Sequence, residues 1–465
     1  MEHHWAAAEM SGAQVWDKRC LSSLAGIYHR LVLCSGLSFS AALGPALRQA
    51  AHRIFESAQT SVSGLLKGHR GETLSRCQPY SLILVVQDTT EIDYTGHTAK
   101  TGLGPLGSMH TQGLLAHGAL AVSPTGVPLG VVDLAIWVRD PAQFGKRHTC
   151  DHRPTCAKES RKWIDALIRC EEVFPPEQPI LLIQDREAEI FSFLATPRRP
   201  NTHLLVRAGR PRMVEIPGSG DRVMLKDAIA QSPVIGTMDV TIPRKPDQNE
   251  HVATLALRVR EVIAQPPSNQ VPGEPDQPQT VWVVQATEVT TSNEKTEVAT
   301  SNEKTVISWT LLSTLPVTNL DQARQMVVYY TRRWVIERLH YTLKSGCRVE
   351  QLQIDDAHSL SNALAIYYMV AWRLLYLTHI ARDSPEMPAS ELMPPVELVV
   401  LKHTSKTEIV TVAQAILAIA KMGGYEHYKN AKPPGVKALW TGVRHLEAMA
   451  EGWLLALNSI GQDRQ

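Results

Sequence analysis

The chain has 465 residues, 44% of them hydrophobic and 20% charged, with 47 Lys and Arg against 46 Asp and Glu for a net charge of +1. That composition excludes intrinsic disorder, collagen and a long coiled coil, and at roughly 150 residues per domain it predicts about three domains. A chain this close to neutral is no global polycation, so any contact with nucleic acid has to rest on local charge.

No run of 18 or more apolar residues occurs, and Met1-Glu2-His3-His4-Trp5 lacks a basic leader, so neither a membrane span nor a secretion signal is expected. Seven cysteines without paired spacing predict free thiols in a reducing cytoplasm.

In chain order, residues 1 to about 78 read as helical, from the recurrence of Leu21, Leu24, Ile27 and Leu31 and again near Ile54 and Phe55. Leu82 to Val86 is a short apolar run that stops at Gln87-Asp88. Residues 116–138, with Ser123-Pro124-Thr125-Gly126 inside them, predict a hairpin. A helix follows over Lys158 to Cys170. Next come the strands Ile180 to Ile183, stopping at Gln184-Asp185, and Leu204 to Val206. Apolar runs without alternation suit strands buried on both faces.

From 206 to 306, strand-like pieces such as Val252 to Val259 and Val281 to Val284 alternate with loops. Gln265 to Pro278 carries five prolines and reads as an exposed connector. A near-perfect tandem copy at period nine, Thr291 to Ala299 and Thr300 to Thr305, reads as a slipped duplication in a surface loop and is too short for a solenoid. From Leu320 onward the chain is mostly helical, with breaks near Asp383 to Pro395 and Lys432 to Gly435.

Two apolar strands ending in Gln-Asp place Asp88 and Asp185 at a sheet rim, where open α/β sheets bind ligands. Either aspartate alone is as well explained as a turn or helix cap. Tyr330, Arg333, Glu337 and Lys344 fall at roughly 0°, 300°, 340° and 320° around a helix at 100° per residue. They share one stripe, which is polar where a core stripe would be apolar. An ordinary solvated face is the bland alternative. Three carboxylates with a nearby Arg and Lys suit hard divalent cations and phosphate: Mg²⁺ takes oxygen ligands, Arg grips phosphate by a fork and Lys as a point charge.

The spacing Tyr330-x2-Arg333-x3-Glu337-x6-Lys344 resembles the Tyr-Arg-Glu-Lys signature of bacterial insertion-sequence transposases of the DDE type, which have a ribonuclease-H-like fold. Further segments are similar to that family and in its order: Val86 to Thr90, Gly102 to Gly107, Lys158-Glu159-Ser160, Asp185 to Glu189, Trp16 to Arg19, Ala50 to Arg53, Met422 to Tyr425 and Leu439-Trp440. Trp16 stands where relatives usually have Gly, and His52 and Ile54 where they have aromatics.

The resemblance implies an α/β fold: a ribonuclease-H-like core over 79–205 and 307–375, interrupted by a β-rich insertion at 206–306. A helical end-binding domain at 1–78 and a helical dimerisation region at 376–465 would flank it. It implies Asp88, Asp185 and Glu337 as a metal-binding catalytic triad for two Mg²⁺ ions, with Mn²⁺ able to substitute. Tyr330, Arg333 and Lys344 would contact phosphates at the transposon end.

Trp309 would stack on a flipped base, a reading that stands level with that of a core tryptophan in the strand Ile307 to Leu312. The run Arg198, Arg199, Arg207, Arg210 and Arg212, free of acids, reads as a strip that positions phosphates. The activity implied is cleavage and strand transfer on double-stranded DNA, at end repeats and at target DNA. A homodimer would perform it in a bacterial cytoplasm, associated with the nucleoid and with no membrane. Hydrolysis frees a 3′-OH that attacks the opposite strand and then the target. The alternatives are a catalytically silent, transposase-derived DNA-binding protein or inhibitor, and a metal-dependent phosphoesterase on small substrates.

Three patterns are set aside. Gly102-x-Gly104-x-x-Gly107 contains Pro105 and opens no amphipathic helix. His148, Cys150, His152 and Cys156 match no common zinc spacing. Asp93 is a stand-in for Asp88 but follows the strand rather than ending it.

Overall fold

The computed structural model describes residues 4–145, 153–242, 251–268, 271–292, 295–298, 307–428 and 431–462. Helices α1 (His4–Met10), α2 (Cys20–Leu33), α3 (Phe39–Ala42), α4 (Pro45–Glu56), α5 (Val62–Leu65) and α6 (Lys67–Cys77) come first. Strands β1 (Ile83–Asp93), β2 (Gly104–Pro105), β3 (Gln112–Val122) and β4 (Pro128–Trp137) precede α7 (Arg161–Val173), β5 (Ile180–Gln184), α8 (Phe191–Leu194) and β6 (Thr202–Arg207). Then follow β7 (Met213–Glu215), β8 (Arg222–Met224), α9 (Leu225–Ala230), β9 (Val234–Ile242), β10 (His251–Ala264), β11 (Gln279–Ser292), β12 (Lys295–Val298) and β13 (Ser308–Ser313). Helices α10 (Leu320–Thr331), α11 (Trp334–Tyr341), α12 (Ala357–Asp383), α13 (Pro395–Ser405), α14 (Val412–Met422) and α15 (Val436–Gln462) complete the chain. The fold is mixed α/β.

Compactness groups the chain into two units. The first is Met1–Tyr80, Thr89–Gly145 and Val335–Gln465; the second is Ser81–Asp88 and Lys146–Trp334.

In the first unit, α12 is the core helix and packs against β4, α2, α4 and α14. It is long and apolar enough to cross a membrane, but 94% of its apolar window is buried inside the protein. Its polar side chains are used internally: Trp372 Nε1 donates to Pro128 O at 2.8 Å and Asn362 Nδ2 to Phe55 O at 2.9 Å. The expected hairpin is present as β3 and β4, antiparallel, with the turn at 123–127 closed by Ser123 N–H on Val127 O.

Helix α1 is anchored by charge. Glu9 is buried between His69 Nδ1 at 2.5 Å and Arg76 Nη1 at 2.7 Å. His69 Nε2 accepts from Val131 N–H at 2.9 Å, which leaves the proton on Nδ1 facing Glu9. The ring is therefore a neutral donor, in keeping with burial, which lowers its pKa.

The second unit is built on a sheet of order β1-β5-β6-β13-β11-β10-β7-β8, with β9 on β10 and β12 on β11. β1, β5 and β6 pair in parallel. Their centres, Ile83 to Val86, Ile180 to Ile183 and Leu204 to Val206, are fully buried, as parallel strands covered on both faces require. Beyond β6 the partners are antiparallel: β13 pairs β6 through Leu312↔Val206, and β11 and β10 continue the ladder. Hydrogen bonding therefore runs unbroken from the parallel strands into residues 206–306. Residues 265–278, the expected connector, join β10 to β11. The period-nine duplication lies largely outside the described residues.

Burial by itself would raise the Glu9 carboxyl, but His69 and Arg76 override it and hold it at about 2 against an ordinary 4.5. A depressed carboxylate stabilises the fold fully above its unfolded value and loses that contribution as pH falls through its folded one. The expected outcome is that Glu9→Gln lowers stability by about 3 kcal/mol at neutral pH. Urea titrations should also show a flatter loss of stability in the variant than in wild type between about pH 4.5 and 2. An unchanged acid limb would contradict this anchoring.

Candidate metal and phosphate site

β1 and β5 run in parallel register from Ile83↔Ile180 to Val86↔Ile183. One step further, Gln184 Nε2 donates to Gln87 Oε1 at 3.3 Å, so the register persists between two fully buried amides. The next pair is Asp88 and Asp185, both half-buried. Side chains in register on adjacent parallel strands share a face, and the strands lie about 4.8 Å apart. Asp185 retains extended backbone (φ −84°, ψ −168°) and caps the following turn by accepting Glu187 N–H on Oδ1 at 2.9 Å.

β1 does not stop at Asp88, as the apolar run suggested, but continues to Asp93. Beyond the end of β5 its neighbour is β3, and Thr89 Oγ1 meets the buried His117 Nδ1 at 2.9 Å. Asp93, and not Asp88, thus terminates the strand. Its Oδ1 takes both the Thr95 amide at 2.8 Å and the Thr95 hydroxyl at 2.5 Å, which hold the carboxyl below its ordinary value.

The Tyr330–Lys344 stripe is not one regular helix. Arg332 and Arg333 amides bond back only three residues, to Tyr329 and Tyr330 carbonyls, between α10 and α11. Thr342–Gly346 is a π turn, with Cys347 N–H on Thr342 O at 2.9 Å. These tighter and wider turns break the 100° spacing on which a single stripe depends. Tyr330 and Arg333 belong to the second unit, Glu337 and Lys344 to the first.

Glu337 is exposed on α11. Lys344 pairs with Glu350 at 3.4 Å, and Glu350 Oε1 also accepts Asp93 N–H at 3.2 Å. Trp309 and Tyr330 are 6% and 3% exposed and pack edge-on at 5.6 Å. Trp309 is therefore a core tryptophan here, and stacking on a base would need these rings to part.

The arginine strip is largely turned inward. Arg198 Nη1 donates to the Leu194 and Thr196 carbonyls, and Arg199 Nη1 to Phe174 O. Arg212 Nε pairs at 3.2 Å with Glu189, itself fully buried. Arg210 is exposed and Arg207 half-exposed. Sequence reading missed Glu189 as a clamp: its Oε2 accepts the Gly209 and Arg210 amides at 2.6 and 2.7 Å. It joins the turn after β5, which begins at Asp185, to the loop after β6. A Cβ at Gly209 would come within 2.5 Å of the Arg186 side chain, which would have to shift to admit one. No spacing rule announces such a contact.

Among the described residues no group of three or more His, Cys, Asp and Glu side chains is drawn together as a metal cage. Asp88 and Asp185 follow the register-matched residues of β1 and β5, and carboxylates are of the hard oxygen chemistry that Mg²⁺ takes alongside water and phosphate. Of the set-aside patterns, Gly104–Pro105 pairs with β3 and Cys156 is free and exposed. His148, Cys150 and His152 lie outside the described residues.

Removing a partner from a buried ion pair costs about 3–5 kcal/mol. Glu189→Ala should lose roughly that in urea unfolding, whereas Glu189→Gln, which keeps an acceptor for the two amides, should lose about half. Equal losses would show that the amides contribute nothing.

Residues 235–373 match the family model described as "Transposase DDE domain". The match runs from β9 into α12, less than a third of the chain, and includes Glu337 but neither Asp88 nor Asp185. With a mixed α/β fold, this similarity supports a transposase of the DDE type.

Proposed function

We propose that the protein is a DNA transposase that cuts and joins DNA at the terminal repeats of its own insertion sequence. The observation that carries this reading is the parallel register of β1 with β5, which runs to Val86↔Ile183, two residues before Asp88 and Asp185. The match over the Glu337 helix supports it. In this reading Asp88, Asp185 and Glu337 form the catalytic triad of a ribonuclease-H-like core. The donor set is all carboxylate, without thiol or imidazole, and fits Mg²⁺ or Mn²⁺. Two such ions, when bound, stabilise the attacking and leaving oxygens of an in-line phosphoryl displacement.

The remaining work falls to the chain's own cations. Arg333 forks onto a phosphate at the transposon end, and Lys344 exchanges Glu350 for another phosphate. Arg207 and Arg210 extend the phosphate contacts from the loop that Glu189 fixes, and Arg212 serves that loop from within. Hydrolysis frees a 3′-OH, which becomes the nucleophile toward target DNA. Residues 1–78 bind the end repeat, 79–205 and 307–375 form the core around the 206–306 insertion, and 376–465 dimerise. The dimer bridges two ends in the cytoplasm of a bacterial host.

Asp88→Asn, Asp185→Asn and Glu337→Gln should each lower Mg²⁺-dependent nicking by about 10³-fold or more, the several kcal/mol that metal-held charge stabilisation supplies. The substrate is DNA bearing the inverted repeats that flank the gene. Nicking that survives Asp185→Asn, or a wild type that binds these ends and never cuts them, would overturn the reading. Lys344→Ala should reduce the slope of log affinity against log salt by about 1; an unchanged slope would remove Lys344 from the phosphate contacts.

A further inference from the structure

Beyond the end of β1, Tyr94, His97 and Lys100 follow at intervals of three. His97 N–H bonds back to Tyr94 O at 2.8 Å and Lys100 N–H to His97 O at 3.1 Å, so the loop is two successive turns. All three side chains donate to one other stretch of chain. Tyr94 Oη donates to Val349 O at 3.0 Å and His97 Nε2 to Glu350 O at 3.0 Å. Lys100 Nζ donates to Leu352 O at 2.7 Å and Ile354 O at 2.6 Å. Thr101 N–H closes the row on Asp355 O at 2.8 Å.

The stretch so held is the return from the π turn that carries Lys344. Apart from the single turn Val349–Gln351 it belongs to no helix or strand, and Arg348 before it has φ 54°, in the left-handed region. Its carbonyls therefore take their partners from the loop. Tyr94 is fully buried and Lys100 is 9% exposed. The Lys100 ammonium lies 5.2 Å from the Tyr94 ring centroid, within cation–π range. A buried ammonium has to be met by acceptors, and here two carbonyls of this one segment meet it.

The clasp reaches Lys344 through Glu350. Glu350 gives its carbonyl to His97, while its Oε1 takes the Asp93 amide at 3.2 Å and the Lys344 ammonium at 3.4 Å. We propose that Lys100, with Tyr94 and His97, positions Lys344 for phosphate: the clasp fixes residues 349–354, and Glu350 on that segment confines the ammonium until a phosphate replaces the carboxylate. The proposal rests on the phosphate role given to Lys344. Lys100 is itself too buried to bind DNA and acts only through the segment it holds. A lysine has much rotamer freedom to lose, and one already confined loses less of it on binding.

Two measurements on the full chain test the clasp. Lys100→Met keeps the apolar stem and removes the donors. In hydrogen exchange without DNA it should speed the Gln351 and Leu352 amides about tenfold, with the amides of Ile83 to Val86 as in wild type. On a duplex bearing the inverted repeats that flank the gene, it should weaken binding about threefold to tenfold. In a Lys344→Ala background it should weaken binding no further, because two residues that act through one contact are not additive. His97→Ala removes one bond of the clasp from a half-buried position and should show the same pattern in smaller degree, which carries the test if Lys100→Met does not fold. Unchanged exchange at Gln351 and Leu352, or an equal loss of affinity with Lys344 present and absent, overturns the positioning role alone. Wild type that binds no duplex overturns the transposase reading, and the phosphate role of Lys344 with it.

Discussion

The parallel pairing of β1 with β5 is the constraint on which the site depends. Four consecutive apolar pairs, Ile83↔Ile180 through Val86↔Ile183, fix the register. A slip by one residue would send every side chain to the opposite face. The Gln87–Gln184 hydrogen bond carries the register one step past the apolar run. In that low-dielectric setting an unmatched amide would be costly, so the bond penalises the slipped alternative. Asp88 and Asp185 each follow these paired residues directly in the chain.

A second theme is the internal use of carboxylates to hold cations and turns. Glu9 fastens α1 to α6 through His69 and Arg76. Glu189 fastens the loop after β6 through two amides and Arg212. Glu350 holds Lys344 and the end of β1. The first two are buried and structural, since breaking either leaves a charge without a partner in the interior. The third is half-exposed, where an ion pair contributes little to stability and can be traded for a phosphate. The same chemistry is permanent or exchangeable according to its burial.

Much of the fold was legible where a pattern is local. The apolar runs at 83–86, 180–183 and 204–206 are parallel strands, and the small and β-branched residues around Ser123 to Gly126 form a hairpin. The extension of β1 to Asp93 was not legible, because Thr89-Thr90-Glu91 is polar and owes its strand conformation to β3. The break at Arg332 and Arg333 falls on good helix formers, so propensity gave no warning of it, whereas the π turn at Thr342–Gly346 contains Thr342, Ser345 and Gly346, poorer helix formers that the 100° spacing left out of account. The arginine strip misled because partners such as Glu189 and the Phe174 carbonyl lie far off in sequence. Around the candidate site, the three acids were proposed from apolar runs and a spaced signature, whereas the partners that Glu189 and Glu350 hold required coordinates.

The central claim is that Asp88 and Asp185 together hold a divalent cation. It is tested most directly by anomalous diffraction from crystals grown with Mn²⁺. The account predicts a Mn²⁺ peak bonded at about 2.1 Å to one oxygen from each aspartate, absent in Asp185→Asn crystals. A metal peak that touches neither carboxylate, or one that persists in the variant, would contradict it.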